Sequence, residues 1–204
     1  GQHFVEDFSG DTLDTFRWTQ LWTNVSSGGN VAGMLDEIGG GYYQTTTTDA
    51  NSSGCISFGT DFFTAGTQIK QFSHLGSTVI WVAKISTFGN FNFNCGLSEA
   101  SRGDGAGNNA LINFPYGSNF GARVCGSGGL QSNIDSGVTG DTNYHSHKMS
   151  CESTFASYTL DGVFTSTATT NLPASNMQPV GGFGKHSAAG TWTLNLKYCE
   201  AWNH

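Results

Sequence analysis

The chain has 204 residues, 11% of them charged, with 29 Gly, 3 Pro and a formal net charge of −7. Its 15 Phe, 6 Tyr and 5 Trp supply apolar area for a core, which excludes a disordered chain. Only 8 Lys and Arg are present, which argues against nucleic acid and acidic membrane surfaces, and no apolar run approaches the length of a transmembrane helix, so a neutral glycan or cell-surface polysaccharide is the natural partner and no membrane insertion is expected.

In chain order, "FSGDTLDTFRW" (Phe8–Trp18) places a Gly10-Asp11 corner ahead of Leu13 and Trp18, both expected in the core. Trp22 follows undecided. "STVIWVAKIST" (Ser77–Thr87) sets Val79, Trp81, Ala83 and Ile85 on one face, with Ile80 and Val82 opposite. That pattern predicts a central strand buried on both sides. "HSHKMSCEST" alternates, with His145, His147, Met149 and Cys151 on one face. Asp161-Gly162 suits a two-residue hairpin turn that pairs Leu160 with Val163. The closing run "TWTLNLKYCEAW" puts Trp192, Leu194, Leu196, Tyr198 and Trp202 on one face, which predicts core positions for all of them.

Helical periodicity is nearly absent, and Gly-rich stretches separate the β-rich segments. The expectation is all-β: one antiparallel two-sheet sandwich over 1–204. Cys55, Cys95, Cys125, Cys151 and Cys199 form no C-x-x-C pair, so zinc has little support. They fit either buried free thiols or up to two disulfides plus one thiol. Two sequons, Asn24-Val25-Ser26 and Asn51-Ser52-Ser53, and a Thr/Ser/Gly/Asn-rich surface favour an extracellular, cell-surface or virion setting.

Several segments carry a resemblance. "FSGDTLDTFRW", "GGGYYQTTT" (Gly39–Thr47), "FNCGLSEA" (Phe93–Ala100), "HKMSCESTFASYTLDGV" (His147–Val163) and "WTLNLKYCEAW" together resemble the concanavalin A-like lectin/glucanase jelly rolls, also called laminin-G-like domains. The resemblance implies the sandwich and leaves activity open, because this fold hosts lectins, hydrolases, lyases and viral surface proteins.

A laminarinase-like glycoside hydrolase of this group carries Glu-x-Asp-x-x-Glu, which places carboxyls on one strand face. No such run occurs here. Asp36-Glu37 and Glu6-Asp7 are adjacent, Glu99 stands alone after a central strand, and Glu200 has no acidic neighbour two residues away. Arg123, His145 and Tyr158 are pieces a polysaccharide lyase could use, but they lie outside any lyase motif. The His145/His147 pair reads better as packing than as metal ligation. The resemblance also raises a structural calcium, yet Lys197 stands near the carboxylate that would hold it, so no cofactor or metal is expected.

The remaining expectation is a non-catalytic glycan-binding or adhesion module, with no catalytic residue assigned. A virion or filament surface protein, assembling as a homo-oligomer, is the alternative; a hydrolase or lyase with a non-standard site is the second. The candidate ligand residues are Trp22, Tyr42, Asp104, Asn108, Asn109, Tyr116 and Phe120, aromatic faces beside amides and carboxylates as sugars require.

Overall fold

The computed structural model describes residues 1–14, 17–23, 30–35, 42–47, 53–58, 71–88, 91–99, 109–113, 115, 117–185 and 192–204. Among the described residues fifteen strands are formed: β1 His3–Glu6, β2 Trp18–Thr23, β3 Asn30–Leu35, β4 Tyr42–Thr47, β5 Ser53–Phe58, β6 Gly76–Ile85, β7 Phe91–Ser98 and β8 Ala110–Asn113. There follow β9 Asn119–Cys125, β10 Gln131–Thr139, β11 His145–Glu152, β12 Ala156–Leu160, β13 Val163–Ala168, β14 Gln178–Lys185 and β15 Trp192–Asn203. They build two antiparallel sheets. One runs β13-β12-β11-β6-β15-β4-β3, with β1 added beside β15 to make eight strands. The other runs β10-β9-β8-β7-β14-β5-β2.

The period-two pattern of β6 holds on its inner face, where Val79, Trp81, Ala83 and Ile85 are buried. The strand is central, between β11 and β15. On its other face Ile80, Val82 and Lys84 are only half-buried, so that face meets solvent rather than a second layer. Trp81 ties the layers together: its Nε1 donates to the Gly96 carbonyl oxygen on β7 at 3.2 Å. Opposite it, a Cβ on Gly181 would stand 2.7 Å from Leu196 Cδ1 and 2.9 Å from Trp81 Cη2, so glycine lets the sheets close there.

At the N-terminal corner Phe4, Phe8, Trp18 and Phe58 pack edge-on or tilted against one another, with Trp18 tilted and Phe8 stacked against Trp81. Trp18 is buried and Leu13 packs against the core, as the corner motif requires. The Asp161-Gly162 turn also forms as expected. Both residues have positive φ (49° and 79°), and Leu160 pairs with Val163.

Two further expectations are corrected, and the structure bears out one of the two cysteine readings. In β15 the register shifts between Leu196 and Tyr198. The extra residue reverses the strand's faces, so Cys199 and Ala201 enter the core while Tyr198 and Trp202 face outward, half-buried. Phe120 is 3% exposed, inside the sandwich, with its ring 4.5 Å from His145 and 5.6 Å from His147. It is a core residue, not a ligand platform. Cys95, Cys125, Cys151 and Cys199 are free, buried thiols, while the Cys55 side chain lies outside the described residues.

Candidate functional site

The outer face of the seven-stranded sheet combines an apolar strip with placed polar groups. Ala110 and Ile112 of β8, Cys125 of β9 and Val180 of β14 form a small buried cluster separate from the main core. They point away from it because Leu111 and Val124, their strand neighbours, point in. Val180 pairs with Gly96, Gln178 with Ser98 and Gly182 with Asn94, so Gln178 and Asn94 flank the strip on this face. Four residues of strand separate the two rows, about 14 Å at the usual rise. Both amides are buried, and the Gln178 Oε1 and Asn94 Oδ1 atoms have no hydrogen-bond partner among the described residues. Unmet buried acceptors of this kind are costly in a core and useful facing a ligand hydroxyl.

Glu99 stands where β7 ends. Its backbone N–H donates to the Asn109 carbonyl oxygen at 2.8 Å, and Asn109 Nδ2 donates back to Glu99 Oε2 at 2.5 Å. The same Nδ2 lies 3.0 Å from Ser175 Oγ, and the Ala174 N–H donates to Asn109 Oδ1 at 2.8 Å. Asn109 is thus the buried clamp that fixes a carboxylate at the end of β7.

Most of the other described carboxylates, like Glu99, have partners of their own. At the corner where the chain enters, a cavity of about 230 Å³ is lined by Glu6, Asp14, Arg17, Leu13 and Met34 among others. Arg17 lies between the two acids, its Nε 3.3 Å from Asp14 and Nη1 4.0 Å from Glu6. Glu6 also accepts from the Phe8 N–H and from Trp18 Nε1. These bonds occupy lone pairs that a sugar hydroxyl would need. Asp141 and Asp161 bind His145 at 2.8 and 2.6 Å. Glu152 binds His204 and Glu200 binds His3. Asp135, which accepts from Asn119 Nδ2, points outward from β10, whereas alternation from Ser98 turns Glu99 to the other side. Three strand spacings and about five residues separate them, roughly 22 Å, too far for a glycosidic acid pair. Among the described residues no group of three or more His, Cys, Asp or Glu gathers to hold a metal.

Of the seven ligand candidates, the structure brings Asn109 to this site. Asp104, Asn108 and Tyr116 lie outside the described residues; Trp22 sits in β2 and Tyr42 in β4, with their side chains outside them too. Arg123, His145 and Tyr158 do not assemble. Arg123 points outward to Asn133, whereas Tyr158 is buried against His147 at 2.8 Å. Ser98, Gln178 and Asn94 escaped the sequence reading because only strand pairing gathers them. The local signal for Glu99 was its isolated position after a central strand.

No family model and no curated protein matches the sequence. Solved structures do match over nearly its whole length. A β-1,3-glucanase from Mycobacterium marinum shares 13% identity at a TM-score of 0.61, covering 99% of both chains. The Crh5 transglycosylase shares 12% at 0.66, covering 100% of this chain and 85% of its own. An endo-acting O-glycanase of the human gut microbiota, linked to the start of mucin breakdown, shares 12% at 0.67, covering 97% of both. These carbohydrate-cleaving and -transferring neighbours overturn the expectation of a non-catalytic binding module. The two antiparallel layers and the full-length likeness agree: the chain folds as a concanavalin A-like lectin/glucanase jelly roll.

Proposed function

We propose that this protein is a polysaccharide-active enzyme of glycoside hydrolase or transglycosylase type, working outside the cell. Its site is the loop-bearing end of the seven-stranded sheet, with Glu99 as one of its carboxyl groups. The observation that carries the reading is the end-to-end likeness to a glucanase, a transglycosylase and an O-glycanase.

Cleavage of a glycosidic bond needs one carboxyl to protonate the leaving oxygen and another to attack the anomeric carbon or activate water. Glu99, gripped by Asn109, suits one of these roles.

The test is incubation with laminarin, mixed-linkage β-glucan and mucin, with reducing ends and new oligosaccharides followed over time. Wild-type protein should turn over at least one of them, and Glu99→Gln should cut that rate by about 100-fold or more. Absence of product from all three substrates refutes the enzymatic reading. Wild-type rates in Glu99→Gln would remove Glu99 from it.

A further inference from the structure

On the far side of the molecule, the outer face of the eight-stranded sheet carries an ordered row. His3 of β1 pairs with Trp202 of β15, Trp202 with Thr78 of β6, and Thr78 with Ser150 of β11. Ser150 pairs with Ser157 of β12, and Ser157 with Thr167 of β13. From the indole to Thr167 the row crosses four strand spacings, about 19 Å. The next row on the same face runs Ile80, Lys148, Thr159 and Phe164, and Phe164 is 61% exposed. Thr78 is itself buried, so the face presents a ladder of the hydroxyls of Ser150, Ser157 and Thr167 between Trp202 at one end and Phe164 at the other.

The ladder is set in place by its own bonds. Thr78 Oγ1 lies 2.7 Å from Ser150 Oγ and 2.8 Å from His204 Nε2. Trp202 is bracketed by two imidazoles, His3 and His204, each with its ring centroid 6.5 Å from the indole. Each imidazole is held by a carboxylate, His3 by Glu200 at 2.9 Å and His204 by Glu152 at 2.8 Å. Glu200 also accepts from Tyr198 Oη. The acids beside the row are thus paired, and the one ammonium among its neighbours, Lys148, lies over the Trp202 ring at 6.0 Å.

We propose that this face is a second glycan-binding surface, on which a neutral polysaccharide lies across the strands from Trp202 towards Phe164. A neutral polyol matches a hydroxyl ladder with compensated charges, and its C–H faces match the two rings. The overall charge of −7 disfavours a polyanionic chain. The surface lies on the opposite sheet from Glu99 and does not depend on the enzymatic reading.

Native gel electrophoresis through laminarin, mixed-linkage β-glucan or hydroxyethylcellulose tests it, with alginate as the anionic control. At least one neutral polymer should retard wild-type protein and Glu99→Gln equally, and alginate should not. Trp202→Ala and Phe164→Ser should each weaken retardation by about tenfold in the apparent dissociation constant, with unchanged circular dichroism. Phe164 is exposed enough that its replacement leaves the core alone. The proposal is overturned if no neutral polymer retards the wild type, or if alginate retards it as strongly. It is also overturned if both variants migrate like wild type, or if retardation vanishes in Glu99→Gln alone.

Discussion

Acid should weaken this fold through one buried imidazole, His147. It is fully buried, pairs through Nδ1 with Tyr158 Oη at 2.8 Å and stacks on that ring. Burial first, and the neighbouring His145 second, push its pKa down to about 3, against a slight opposing pull from Asp161. In the unfolded chain the group titrates near its ordinary value of about 6.5. Below that pH the unfolded chain binds a proton that the folded chain refuses, so stability falls as pH falls. Between pH 7 and pH 5 the loss from this group is about 2 kcal/mol, and it keeps growing until the folded pKa is reached. His145 acts in the opposite sense. Burial pulls it down, but the hydrogen bonds and charges of Asp161 and Asp141 outweigh that and leave it raised. Its contribution is therefore full below about 6.5 and fades as pH climbs through its folded value. Urea unfolding of wild type, His147→Gln and His145→Gln at pH 7, 6 and 5 separates the two. The loss of stability from pH 7 to 5 should shrink by about 2 kcal/mol in His147→Gln and grow in His145→Gln. A His147→Gln protein with the wild-type pH slope refutes the reasoning.

Two further outcomes follow from packing and burial. Gly96→Ala should cost at least about 3 kcal/mol in urea unfolding or prevent soluble expression, because the added Cβ would meet the Leu111 carbonyl oxygen at 2.1 Å and Ile112 Cα at 2.7 Å, both backbone atoms that cannot yield. The thiols of Cys151 and Cys199 should resist an aromatic disulfide reagent in native protein and react in denaturant, as peptide mapping would record. Burial pushes Cys151 up to about 12 and Cys199 well above its ordinary value, leaving almost no thiolate.

Much of the architecture was legible because its signals are local. β6 announces itself by alternation, and the Asp161-Gly162 hairpin by two adjacent residues that tolerate positive φ. β15 was misread beyond Leu196 because a bulge leaves no mark in composition, and period-two counting carried across it assigns Trp202 to the wrong side. Phe120 looked like a loop aromatic, yet the strand it opens turns that ring toward the two histidines. The candidate site was less legible still. Glu99 was visible as a lone acid, but its clamp, Asn109, becomes its partner only once β7 and β8 pair. His3 and Glu200 meet across 197 positions, a relation that no window along the chain contains.

The register shift in the last strand gives that segment an uneven tolerance of length change that substitution would not reveal. Lys197 is the extra residue, so removing it would restore simple alternation and leave Cys199 and Ala201 facing the core. Adding one residue after Tyr198 would instead rotate everything after it by half a turn. The slot that now holds Ala201 would then receive Glu200, a charge in a space shaped for a methyl. Insertions beyond the bulge should be purged far more strictly than point changes, so the strand's phase, rather than its letters, is what this chain has to inherit intact.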